Sequence, residues 1–154
     1  MKRKIKLKIK GESPRSLLLA FVLAKLKRDI YLYDFQINSN SNKDYNIFLF
    51  SNHLKILLIK FDIWNQIKDI SYSFNSLSIR DNLISDQLLL QTENLSKSYF
   101  NNIGWTANYS DIKRLLINKL INFDNVHFVS RNQLIDESLI FDYEFNFNDN
   151  DKLI

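Results

Sequence analysis

Lys4-Ile5-Lys6-Leu7-Lys8-Ile9-Lys10-Gly11-Glu12-Ser13-Pro14-Arg15-Ser16 decides the fold. Ile5, Leu7 and Ile9 alternate with Lys4, Lys6, Lys8 and Lys10, which is the period of a half-buried strand. Gly11 to Pro14 turns the chain. Residues 15–27 then carry Leu17, Leu18, Leu19, Ala20, Phe21, Val22, Leu23, Ala24 and Leu26, apolar nearly all the way round. That pattern predicts a buried helix with Ser13 as N-cap and Pro14 at the first helical position, where a missing N–H costs nothing. Ile30 to Phe35 reads as a second strand. Strand, tight turn, buried helix and strand make a βαβ opening, with parallel strands and a right-handed crossover.

Working outward, Gln36 to Asn46 is polar and aperiodic and reads as a loop. Ser51 can cap a helix reaching Lys68, with Leu54, Leu57, Leu58, Phe61 and Trp64 at helical spacing. Tyr72 to Ile79 and Gln87 to Gln91 read as strands. A third long helix is expected from a Ser110 cap, with Asp111 at the positive end of its dipole and Ile112, Leu115, Leu116 and Leu120 inward. Val126 to Ser130 and Leu139 to Phe147 read as closing strands, the last alternating Phe141, Tyr143, Phe145 and Phe147.

Composition bounds the chemistry. The 154 residues are 45% hydrophobic, enough for one domain with a true core, and no apolar run is long enough to span a bilayer. The absence of cysteine removes disulfides, thiolate metal sites and cysteine nucleophiles, and His53 and His127, far apart, make a poor metal set. They read as a helix-surface and a strand-packing residue, and Trp64 and Trp105 as core or interface aromatics. Charge is uneven: residues 1–29 carry net +8 and the remainder −4. The lysine side of the first strand, Lys4, Lys6, Lys8 and Lys10, is either solvated or a docking surface for an anionic partner. Nucleic acid ranks last among such partners because the basic residues lack interleaved aromatics. No signal-peptide pattern precedes the first strand, and the expected compartment is the cytoplasm, with peripheral membrane contact left open.

The chain holds only two glycines, Gly11 and Gly104. In dinucleotide-binding folds the turn after the first strand reads G-x-G-x-x-G: one glycine turns the chain, one admits a pyrophosphate, and one lets helix and strand pack closely. Here the register reads Gly11-Glu12-Ser13-Pro14-Arg15-Ser16, so Ser13 and Ser16 replace two of the three. Asp34, 23 positions after Gly11, stands where an acid normally holds a ribose hydroxyl. The candidate cofactor residues are therefore Gly11, Ser13, Ser16 and Asp34. Arg15 reads as a solvated charge at the helix start.

These residues and their order resemble the N-terminal part of the FAD-dependent aromatic hydroxylases, in particular the ubiquinone-biosynthesis monooxygenases of the para-hydroxybenzoate hydroxylase fold. Gly11, Pro14 and Leu17 match the family's G-A-G-P-x-G-L opening, and Asp34 its acid after the second strand. Phe48-Leu49-Phe50-Ser51 and Phe61-Asp62-Ile63-Trp64 resemble its A-L-S and L-G-L-W segments. Leu77-Ser78-Ile79-Arg80-Asp81, Gly104-Trp105-Thr106-Ala107-Asn108 and Asn125-Val126-His127-Phe128 resemble three later ones. The resemblance implies an α/β fold, a single incomplete hydroxylase-like domain over residues 1–154. It would join a Rossmann-like FAD/NAD(P)-binding opening to part of the family's substrate-side sheet. FAD is the implied cofactor, and no side chain here is named catalytic.

The departures are as specific. Beyond Ser13 and Ser16, the family's arginine before A-L-S is absent, with Tyr45 and Asn46 there, and its glutamate before the long helix is Asn108. The family's second flavin motif, a D-G dipeptide, is expected to lie past Ile154. Weak or absent FAD binding and no hydroxylation by the chain alone are the expectations. The partners implied are a chain supplying the missing half or a larger assembly. The alternatives are an accessory or structural subunit docking through the first strand and, last, a nucleic-acid-binding module.

Overall fold

The computed structural model of the chain describes residues 5–33, 46–80, 87–91, 102–130 and 140–147. In chain order the elements are β1 (Lys6–Lys10), α1 (Pro14–Lys25), β2 (Asp29–Tyr33), β3 (Ile47–Ser51), α2 (Asn52–Lys60), α3 (Trp64–Asp69), β4 (Ser71–Phe74) and β5 (Ser76–Arg80). There follow β6 (Gln87–Gln91), β7 (Gly104–Asn108), α4 (Tyr109–Leu120), β8 (Val126–Val129) and β9 (Tyr143–Asn146). The chain divides into two compact units, Met1–Asp44 with Ile112–Ile154, and Tyr45–Asp111. No helix among the described residues is long and apolar enough to cross a membrane.

The first unit is built on a parallel four-stranded sheet in the order β8-β2-β1-β9. β1 pairs with β2 from Lys6 opposite Asp29 to Lys10 opposite Tyr33, and with β9 from Leu7 opposite Tyr143 to Lys10 opposite Asn146. Leu7, Ile9, Ile30, Leu32 and Val126 share one buried side, and α1 packs on β1 and β2. Burying a leucine or isoleucine side chain contributes about 1.5 to 3 kcal/mol. A one-residue slip of β1 would bring Lys6, Lys8 and Lys10 inward instead, so the alternation fixes the register. The βαβ opening is thus as expected, with Ser13 and Pro14 in their predicted places at the start of α1.

The lysine side of β1 meets an acid of its own sheet. Lys8 Nζ lies 3.3 Å from Glu144, the residue opposite it on β9, and the backbone N–H of Lys6 donates to the Asp142 carboxylate at 2.8 Å. Lys8 also stands 5.2 Å from the Tyr33 ring centre and 5.8 Å from that of Phe141, whose edge meets Tyr31 and Tyr33. His127, opposite Tyr31 on β8, stacks on that tyrosine at 4.6 Å with its own edge exposed. Burial first, then the neighbouring Tyr31 and the Glu144 carboxylate, hold the Tyr33 phenol above its ordinary pKa. Lys4 lies outside the described residues.

The second unit holds an antiparallel sheet, β3-β7-β4, and a separate β5-β6 hairpin. Phe50 of β3, Trp64 of α3 and Trp105 of β7 pack edge to face, and Lys55 Nζ sits 5.2 and 5.0 Å from the two indole centres. Asn52, 5% exposed, donates to the Asn102 and Ile103 carbonyls and accepts from Trp105 Nε1, tying the start of α2 to the strand beside it. His53 is exposed on α2.

Four boundaries differ from the sequence reading. The helix expected from Ser51 to Lys68 is two, because Asp62 takes a left-handed φ of 58° and the Ile63 N–H returns to the Leu58 carbonyl, burying Ile63. Apolar spacing alone runs on through that break. The strand expected from Tyr72 to Ile79 is also two, since β4 pairs with β7 and β5 with β6. β3 and β7 are strands without a clean apolar alternation to mark them in the sequence. The α4 cap is Asn108, whose Oδ1 accepts from both the N–H and the hydroxyl of Ser110. Ser110 lies inside the first turn.

Candidate functional site

The site suggested by the sequence is the turn from β1 into α1. Gly11 takes φ +112°, a region that L side chains rarely enter, and its N–H donates to the Tyr33 carbonyl at 3.3 Å. A β-carbon built on Gly11 would lie 2.5 Å from the Phe147 carbonyl oxygen. Phe147 is itself held there by donating its N–H to Lys10 O at 2.9 Å. Glycine is thus required at position 11 twice over, by backbone dihedral and by space.

The next residues satisfy one another. Ser13, in extended conformation, is the N-cap: its Oγ accepts the Ser16 N–H at 3.3 Å. The Ser16 hydroxyl donates within the turn, lying 2.9 Å from the Gly11 carbonyl and 2.7 Å from the Ser13 carbonyl. Ser16 is fully buried. The Leu17 N–H closes the first helical bond on Ser13 O at 3.0 Å. Pro14 brings no N–H at all. Glu12 pairs with Lys113 of α4 at 3.1 Å, both side chains about four-fifths buried, so its charge is offset where it stands.

A helix start binds anions by offering unused N–H groups at the positive end of its dipole. Here one of the first three helical positions has no N–H and another has given its hydrogen to Ser13. The group lying over Gly11 is a carbonyl oxygen, an acceptor. Two of the first three helical positions therefore offer no free N–H to an outside anion, a poorer fit to a pyrophosphate group than an open helix start, although Gly11 keeps a positive φ at the turn.

Of the four residues singled out from sequence, the fold brings Gly11, Ser13 and Ser16 together within one hydrogen-bonded turn, and Asp34 lies outside the described residues. The Phe147 carbonyl and the Lys113 ammonium belong to the same site and were not foreseen. Phe147 reaches it through backbone alone, which leaves no mark in the sequence, and Lys113 is one cation among many. No group of three or more histidine, aspartate or glutamate side chains among the described residues is placed to hold a metal ion.

No family model matches the sequence, and no curated protein matches it. Among solved structures the chain is similar to p-nitrophenol 4-monooxygenase from Pseudomonas putida, with TM-score 0.60 and 13% identity over 84% of this chain and 32% of that one. It is similar to PqsL, described as a probable FAD-dependent monooxygenase, from Pseudomonas aeruginosa, with TM-score 0.59 and 10% identity over 83% and 33%. A third is the Diels-Alderase PyrE3 of pyrroindomycin biosynthesis, with TM-score 0.60 and 14% identity over 81% of this chain and 25% of that one. The chain spans about a third of the length of the first two. The likeness establishes the α/β fold found in these enzymes.

Proposed function

We propose that this chain is an accessory protein that keeps the fold of the FAD-dependent monooxygenases without hydroxylating an aromatic ring by itself. The observation that carries this reading is the Gly11–Ser16 turn, in which the Ser16 N–H and hydroxyl are used inside the chain. Fold does not dictate chemistry, and the three similar structures already include a protein described as a Diels-Alderase. In such a protein FAD, when bound, supplies the oxygen chemistry, while the protein binds and orients it. Gly11, Ser13, Ser16 and Asp34 are the residues that would have to hold it. The purified chain is expected to show no visible flavin absorption and to form no hydroxylated product from an aromatic substrate with NADPH. A yellow protein, or NADPH-dependent hydroxylation, overturns the reading.

A second reading keeps the cofactor: the chain would be the FAD-side segment of a ubiquinone-biosynthesis-type monooxygenase. The left-handed Gly11 on a parallel β1-α1-β2 unit favours it. In either reading a larger assembly is the proposed partner. Docking through the lysine side of β1 is the weaker route, because Glu144 already pairs with Lys8. Co-purification that survives charge reversal of Lys6 and Lys8 would place the contact elsewhere.

A further inference from the structure

We infer that Ser13 is the residue that closes the dinucleotide turn, its hydroxyl oxygen taking on the Ser16 N–H the place that a phosphate oxygen takes at an anion-binding helix start. This rests on the accessory reading and names the ligand class that the turn turns away: the pyrophosphate group of a dinucleotide.

The assignment follows by elimination among the turn's own atoms. Gly11 turns the chain at a positive φ and has no side chain to stand before the turn. Glu12 has its charge offset by Lys113 at 3.1 Å. Ser16 is buried, and its hydroxyl points back onto the Gly11 and Ser13 carbonyls, so it braces the turn without standing in front of it. Ser13 is the residue whose side chain accepts an N–H of the first helical turn, at 3.3 Å. An acceptor there does for that N–H what an outside anion would do, and it is covalently present at every concentration. Glycine is nearly as good an N-cap as serine, so Ser13→Gly removes the acceptor with little loss of helix stability.

The test is titration of the isotope-labelled full chain with inorganic pyrophosphate, following the backbone amide resonance of Ser16 in the unaltered chain and in Ser13→Gly. The unaltered chain is expected to give no saturable shift. Ser13→Gly is expected to bind pyrophosphate at least about tenfold tighter, as one charge-assisted hydrogen bond predicts, with the Ser16 amide among the resonances that move. A folded Ser13→Gly chain that gains nothing overturns the inference, as does an unaltered chain that binds equally well. Should the variant fail to fold, hydrogen exchange of the unaltered chain decides: a protected Ser16 amide supports the closure, and exchange at the free-peptide rate contradicts it. The accessory reading fails separately, through flavin absorption of the unaltered chain. A colourless chain whose Ser13→Gly variant gains nothing sinks this inference alone.

Discussion

The two ends of α1 make opposite use of glycine. At the N-terminal end Gly11 is retained, with φ +112° and the Phe147 carbonyl where a β-carbon would go. At the C-terminal end the chain turns through Lys27 at φ +59°, a position that glycine usually fills, with the Lys27 N–H returned to Ala24 O and the Arg28 N–H to Leu23 O. Asn125 supports that end by donating to the Ala24 and Arg28 carbonyls at 3.0 and 2.6 Å. The same closure ends α2 at Asp62. Gly104 repeats the first case: a β-carbon there would lie 2.8 Å from both the Phe50 carbonyl and the Phe74 ring. This chain keeps glycine where an atom already occupies the β-carbon's place. It does without glycine where only the dihedral angle asks for one.

Four substitutions press on that contrast. Gly11→Ala meets both the clash and the dihedral penalty and is expected to lower stability by about 3 to 5 kcal/mol, read by urea denaturation. A loss under about 1 kcal/mol would mean that Phe147 does not lie over the turn. Ser16→Ala takes a donor from the part-buried Gly11 and Ser13 carbonyls, the second of which keeps the Leu17 N–H, and is expected to lose about 1 to 2 kcal/mol in the same assay. In a turn held open for a ligand, trimming this hydroxyl would be nearly neutral. Lys27→Gly is expected to gain about 0.5 to 1 kcal/mol, and Asp62→Gly only a few tenths, because aspartate tolerates the left-handed region better than lysine. A loss of stability for Lys27→Gly would break the contrast.

The opening of the fold was legible in the sequence because its signals are local. Lysine alternation gave β1, the apolar run gave α1, and Ser13-Pro14 gave its start. What escaped depended on partners distant in the chain. β3 and β7 are strands because Phe48 opposes Ala107 and Phe50 opposes Trp105, a pairing between segments more than 50 residues apart. The break at Asp62 carries no glycine or proline to announce it. The lysine side of β1 looks unbalanced in sequence, and Glu144, which pairs with Lys8, arrives only when β9 pairs with β1. At the candidate site the serine replacements were visible, but their consequence was not. Only the geometry distinguishes serines that crowd a ligand from serines that bond to one another.

The proposal rests on the Ser16 N–H and hydroxyl being engaged within the Gly11–Ser16 turn, and it expects no FAD binding. Equilibrium dialysis of FAD against the full, folded chain tests it most directly. The account predicts that the flavin concentration stays equal on both sides of the membrane. Retention of one flavin per chain, lost on substituting Gly11, would contradict it.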